Sequence, residues 1–186
     1  KKLKNPIGIQ DYLPGLFGGF KSYELSKKRI KNESLPKNTT NLIFKNCYLL
    51  WTGSFRSASK ILKKQKKNIK ININYLDNIK NISIKANKEL KEKKTSLVKI
   101  GKLLTESWEN KKKLEKNIFT KKLKKIENEI LISKPYGFKL LGAGGDGFYL
   151  VLGNKKTANK LHKKFGKKYF FKINSVNNPC SVIYSC

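Results

Sequence analysis

Four glycines in six positions, Gly142, Gly144, Gly145 and Gly147, stand between Lys139-Leu140-Leu141 and the apolar run Phe148-Tyr149-Leu150-Val151-Leu152. Both flanks read as β-strands, over 137–141 and 147–152. Glycine loses more conformational entropy on folding than any other residue. Such density is therefore a signal that the backbone needs positive φ angles, that two segments cross closely, or that amides face an anionic ligand. Glycine-rich hairpins between buried strands are common, so the cluster takes its meaning from what precedes it.

Near the start, Gly8-Ile9-Gln10-Asp11 runs through Tyr12-Leu13-Pro14-Gly15-Leu16 to Phe17-Gly18-Gly19-Phe20. The chain has only three aspartates, Asp11, Asp77 and Asp146, and two of them sit in these glycine clusters. An Asp beside glycine and proline is often a turn residue, and Asp11 can be read that way or as a carboxylate placed for chemistry. A third segment, Tyr48-Leu49-Leu50-Trp51-Thr52-Gly53-Ser54-Phe55-Arg56-Ser57-Ala58-Ser59, is an apolar strand leading through a Thr-Gly turn into a hydroxyl-rich helix start. Free amides, Ser57, Thr52 and the Arg56 guanidinium could there meet a phosphate. Arg29 and Arg56 are the only arginines beside 41 lysines. A planar guanidinium binds phosphate or a sugar diol bidentately, where lysine acts as a point charge; a surface ion pair is the plainer alternative for Arg56.

Taken in order, these segments and Glu106-Ser107-Trp108 resemble the GHMP small-molecule kinases, and among them the D-glycero-D-manno-heptose 7-phosphate kinases. That branch carries G-x-Q-D followed by F-G-G, then Y-T-G-x-x-R-x-[SA]-S, a helix with E-S-W, and K-L-L-G-A-G-G-G-G-F before its last strands. The resemblance spans almost the whole chain. It implies ATP and Mg²⁺ as cofactors, a sugar or sugar-phosphate acceptor, and Asp11 as the general base that takes the acceptor hydroxyl's proton. It also implies that Arg56, with Thr52 and Ser57, binds the acceptor, and that Gly142, Gly144, Gly145 and Gly147 pack against the ATP phosphate loop. Residues 1–45 would then be the end of the family's N-terminal, ribosomal protein S5 domain 2-like domain, with residues 46–186 its C-terminal domain.

Departures from the family are equally specific. Its P-x-x-x-G-L-G-S-S-A phosphate loop occurs nowhere in these 186 residues, and the chain contains no methionine. The expectation is a C-terminal part of a kinase, working with a separate N-terminal half or surviving as a non-catalytic remnant. Asp146 replaces a family glycine, and a carboxylate there would repel nucleotide phosphates unless a lysine or Mg²⁺ intervened. Leu13-Pro14-Gly15 stands where the family has a helix, and proline with glycine predicts that this helix is broken. Trp108, at the end of an apolar stripe, reads as core. Other acceptors open at this level are those of L-fucose and galactose kinases.

A formal charge of +31 raises nucleic-acid binding as another class of function. Lysine, asparagine and isoleucine are abundant together, as an A/T-rich genome favours, and the lysines spread along helices without an RNA-reading aromatic motif. Only non-specific electrostatic binding is expected. No run of some 18 apolar residues is present and no signal peptide opens the chain, so a cytoplasmic protein off the membrane is expected. Cys47, Cys180, Cys186 and the lone His162 show no metal-ligand spacing, and no metal site of Cys or His is expected.

Periodicity predicts short β segments at 17–23 and 41–44, a strand at 48–52, and a helix over 55–67. Tyr75, Ile79, Ile82 and Ala86 share one face of a helix running to about 93, and Leu97, Gly101, Leu104 and Trp108 share one face of the next. A third helix covers 120–133, stopping before Pro135. After the two strands around the glycines come a helix at 155–165, a strand at 168–173 and an extended piece at 181–184. With the central helices taken as an insertion, the order βα…ββαβ is the ferredoxin-like split βαβ arrangement, an α+β fold. The 38% hydrophobic content suffices for a core.

Overall fold

The computed structural model of the chain describes residues 9, 12–26, 28–54, 61–62, 64–65 and 68–180. Its main sheet has four strands, β3 (Cys47–Trp51), β4 (Gly137–Leu140), β5 (Phe148–Leu152) and β6 (Phe170–Lys172), in the order β4-β5-β3-β6 and antiparallel throughout. In chain order these are strands one to four of a split βαβ motif, with the third strand inserted between the first two. The ferredoxin-like α+β fold expected from the sequence is the fold found. A separate two-stranded hairpin, β1 (Lys21–Leu25) with β2 (Ile30–Ser34), precedes it.

Alternation along the strands decides what each sheet face buries. Leu50, Phe138, Leu140, Tyr149, Val151 and Phe170 share one face and are all but fully buried. Leu123 and Ile130 of helix α5 (Lys121–Ile132) and Ala158 and Leu161 of α6 (Lys155–Phe165) join them in one core. Burying a side chain such as Leu50 there stabilises by about 1.5–3 kcal/mol. Thr120 caps α5 by accepting from the amide of Leu123, and Asn154 caps α6 by accepting from that of Thr157. Cys47 and Leu152 belong to the other face, where they pack with Ile43 and Ile100. Burial pushes the Cys47 thiol up to about 11, which keeps it protonated.

The central insertion is helical, as the periodicity predicts. Helix α3 (Ile73–Lys91) buries Ile82 and half-buries Tyr75, Ile79 and Ala86. It packs on α4 (Leu97–Lys112), whose Gly101 faces the edge of β4. A Cβ at Gly101 would lie 2.3 Å from the Tyr136 carbonyl, and one at Gly137 would lie 1.8 Å from the Gly101 oxygen. The helix thus covers the sheet edge at backbone contact. Thr105 Oγ1 accepts from the Phe138 amide at 3.0 Å, satisfying an edge donor. Ile61, Leu62, Lys64 and Gln65 are helical, in agreement with the predicted helix over 55–67; the rest of that segment and the piece at 181–184 lie outside the described residues.

Three expectations for the first 45 residues are corrected. Residues 41–44 are not a strand but the end of α2 (Lys37–Lys45), which buries Thr39 and Ile43, four residues apart on one face. Leu13-Pro14-Gly15 does not break a helix; it begins one, α1 (Leu13–Phe17), with Pro14 in the first turn. A first-turn proline loses only an amide that has no intrahelical partner. The strand expected at 17–23 begins at Lys21.

Candidate functional site

Thr52 follows the last residue of β3 and reaches the glycine loop between β4 and β5. Its amide donates to the Gly147 carbonyl at 2.8 Å. Its hydroxyl donates to the same carbonyl at 2.9 Å and accepts from the Gly147 amide at 2.9 Å. The side chain is only 3% exposed. Thr52 therefore fastens one end of the loop to the central strand, with its hydroxyl engaged by a single glycine.

All four loop glycines have positive φ, 68° at Gly142, 102° at Gly144, 87° at Gly145 and 114° at Gly147. Gly144 is also a close crossing: a Cβ there would lie 2.7 Å from Ile118 Cγ2, whereas Gly142 and Gly147 have open space on that side. Ile118 belongs to the 3₁₀ turn Lys116–Ile118, and its carbonyl accepts from the Gly145 amide at 2.9 Å. At the other end Lys111 Nζ donates to the Gly142 carbonyl, and Gln65 Nε2 donates to that of Ala143 at 3.4 Å. Two of the three uses suggested by glycine density, positive φ and close crossing, are realised.

Cations surround the loop. Lys122, at the start of α5, donates to Ser54 Oγ and lies 3.6 Å from Asp146 Oδ1. The lysine required beside a carboxylate in this loop is thus present. Lys139, on β4, donates to Ser107 Oγ at 2.7 Å. Burial lowers its pKa, and burial together with the charge of Lys139 holds Lys111 down to about 8. Lys111 and Lys122 were not distinguishable in a sequence with 41 lysines. Lys139 had one usable signal, a cation within an otherwise apolar strand.

Trp108 is core, as its apolar stripe predicts. It is fully buried, meets Tyr149 edge to face at 6.1 Å, and donates Nε1 to Glu127 Oε2 at 3.0 Å. Lys112 pairs with the other Glu127 oxygen at 2.9 Å. Burial and the Glu127 carboxylate hold the Tyr149 phenol far above its ordinary value. This network fixes α4 against α5 behind the loop.

Asp11, Arg56 and Ser57 lie outside the described residues. The turn and short helix C-terminal to Asp11 are held by the far end of the chain. The Gly19 amide donates to the Val176 carbonyl at 3.0 Å and the Cys180 amide to the Gly15 carbonyl at 2.8 Å. Gly18, at φ 60°, lies against Asn177, whose carbonyl oxygen would be 2.5 Å from a Cβ. The Phe-Gly-Gly glycines admit the extended segment that returns after β6.

Chemically, the lysine-ringed loop suits the charge of a phosphate. Mg²⁺ needs only one or two carboxylates besides nucleotide phosphates, and Asp146, 3.6 Å from Lys122, is the one that this loop offers. Among the described residues, no helix is long and apolar enough to cross a membrane.

No protein-family model and no curated protein matches the chain. Solved structures do. Mevalonate kinase of L. major in complex with R-mevalonate superposes with TM-score 0.65 at 16% identity, over 87% of this chain and 50% of that one. A D-glycero-D-manno-heptose 1-phosphate kinase from Bacteriodes thetaiotaomicron gives 0.65 at 17% identity, over 96% and 50%. The Streptococcus pneumoniae phosphomevalonate kinase in complex with phosphomevalonate and AMPPNP gives 0.60 at 19%, over 77% and 43%. The chain has the fold of half such a kinase. It spans about half the length of the kinases it matches, and at these identities the likeness is one of fold.

Proposed function

We propose that the chain is the acceptor-side part of a GHMP-type kinase that transfers the γ-phosphoryl group of ATP to a hydroxyl of a sugar phosphate, with D-glycero-D-manno-heptose 7-phosphate as the acceptor. One coincidence carries the reading. Two of the motifs that carry the resemblance, the glycine loop at the β4–β5 turn and the Thr-Gly turn, lie side by side at one end of the sheet, in a chain whose fold is that of half such an enzyme. The hairpin β1–β2, which pairs with no strand of the main sheet, supports a division near residue 45, with 1–45 belonging to an N-terminal domain and 46–186 forming the C-terminal one, across which α2 sends Ile43 into the core with Cys47, Ile100 and Leu152.

Phosphoryl transfer depends on positioning and charge neutralisation more than on covalent chemistry. Bound ATP supplies the group transferred. Asp11 accepts the proton of the attacking hydroxyl, and Arg56 with Ser57 holds the acceptor's distal phosphate. Thr52 acts one step back, holding the glycine loop at its distance from β3. Lys122 offsets the Asp146 charge so that the loop can lie near phosphates.

The test is assembly with a polypeptide carrying the P-x-x-x-G-L-G-S-S-A loop, followed by transfer of labelled γ-phosphate to heptose 7-phosphate, L-fucose, galactose and mevalonate. Transfer is expected only with the second polypeptide present, and to the heptose phosphate. Transfer by the 186-residue chain alone would overturn the half-enzyme reading. In the assembled enzyme Asp11→Asn should lower kcat roughly 10²- to 10⁴-fold with acceptor KM within a few-fold, because the amide keeps the geometry and loses the basicity. Arg56→Lys should mainly raise acceptor KM. Full activity in a folded Asp11→Asn protein would remove the base assignment.

A further inference from the structure

Beneath α3 and α4, on the sheet face opposite the main core, lies a cavity of about 450 Å³. Its walls are apolar, among them Ile79, Ile82, Leu104 and Leu150, and Ala86 leaves room in the α3 wall. The two polar side chains at one end besides Ser83 are Ser107 and Lys139. Lys139 donates to Ser107 at 2.7 Å, and no carboxylate pairs with it among the described residues. Lys111, one helical turn after Ser107, does not line the cavity but lies close enough to Lys139 to feel its charge, and it donates to the Gly142 carbonyl. The volume is that of a small-molecule site, which falls at roughly 300–1,000 Å³. A pair of partly buried ammonium groups next to an apolar chamber is unfavourable without an anion, and burial depresses the proton affinity of both lysines. Apolar walls with a cationic end match one class of ligand in both shape and charge.

We propose that this cavity binds a single-chain amphiphile with an anionic head, its tail among Ile79, Ile82, Leu104 and Leu150 and its head on Lys139 and Ser107. The site is separate from the acceptor site proposed above.

Calorimetric titration of the full chain with dodecanoate below its micelle concentration tests this, at about 0.15 M salt, where the screening length is about 8 Å and surface lysines attract weakly. Saturation at one dodecanoate per chain is expected. Lys139→Gln, which removes the head-group charge, and Ala86→Phe, which fills the chamber, should each weaken it about tenfold or more. Lys85→Gln, on an exposed turn of the same helix, should leave it unchanged. Dodecanol and inorganic phosphate, carrying only one half of the chemistry each, should both bind more weakly than dodecanoate. Absence of saturable binding would overturn the proposal. So would wild-type affinity in either Lys139→Gln or Ala86→Phe, or phosphate binding as tightly as dodecanoate, which would make the site a plain anion site.

Discussion

Gly142 and Gly144 share a positive φ but not their surroundings, and that difference separates backbone strain from packing. At Gly142 an added methyl meets nothing, so Gly142→Ala should cost only the conformational penalty, about 1–2 kcal/mol. At Gly144 the same methyl runs into Ile118, and an overpacking cost of about 1–3 kcal/mol adds to it. Urea midpoints of the two variants should rank accordingly, and an equal loss would show that Ile118 yields freely. Lys111 gives the residue scale a pH dependence. Its pKa of about 8 in the fold lies below the ordinary 10.5, so between those values the unfolded chain holds the extra proton and stability rises with pH. Below that window the penalty is fully present, and above it none remains. Lys111→Met should raise Tm at pH 7 and flatten the rise between pH 8 and 10.5; an unchanged slope would refute the attribution. The glycines were legible in the sequence because few residues tolerate positive φ. Lys111 and Lys122 were not, because burial and pairing, rather than residue type, distinguish them from the rest.

At the scale of elements, the 3.6-residue and two-residue periods held wherever one face of an element is buried. Helix α6 spans the predicted 155–165, and the stripes of α3 and α4 are the faces they bury. Errors gathered at 12–45, where burial is thin. In α2 the sequence Asn41-Leu42-Ile43-Phe44 mimics a strand, and only Thr39 and Ile43 together reveal the helical period. Gly101 was legible as part of an apolar stripe but not as a contact point, since its partner Gly137 is distant in sequence. That crossing yields a prediction. Gly101→Ala would drive a methyl into the Tyr136 backbone, which cannot rotate aside as a side chain can, so α4 and β4 must separate. The loss should reach or exceed the upper end of the usual overpacking cost, about 3 kcal/mol. Gly166→Ala, at φ 75° and ψ 166° with open space, should lose only the backbone penalty, about 1–3 kcal/mol. Thermal unfolding of the two variants side by side checks the order, and a mild Gly101→Ala would mean that the helix does not lie on the strand as described.

Across the whole molecule, 43 basic side chains face 12 acidic ones, and repulsion within the fold competes with its ion pairs. Lys112 with Glu127 is largely buried and little affected by salt, whereas Lys164 with Glu129 and Lys31 with Glu24 are exposed and each contributes about 0–1 kcal/mol. Raising salt from about 0.01 M to about 0.1 M shortens the screening length from about 30 Å to about 10 Å. Exposed pairs then lose a little of their attraction, while the far more numerous like-charge interactions at longer range lose most of their repulsion. With a net +31 the second effect should win, so Tm should rise with salt over this range. The same screening should release bound DNA, because lysine–phosphate binding is driven by counterion release and weakens by roughly 10³- to 10⁵-fold between 50 and 200 mM salt when six to ten phosphates are engaged. The two measurements should therefore move in opposite directions along one salt axis, stability upward and retention on DNA downward, with no preference among DNA sequences. A Tm that falls with salt would show that the ion pairs outweigh the excess charge. Sequence-selective retention surviving physiological salt would show that the lysines form a recognition surface rather than a solvated excess.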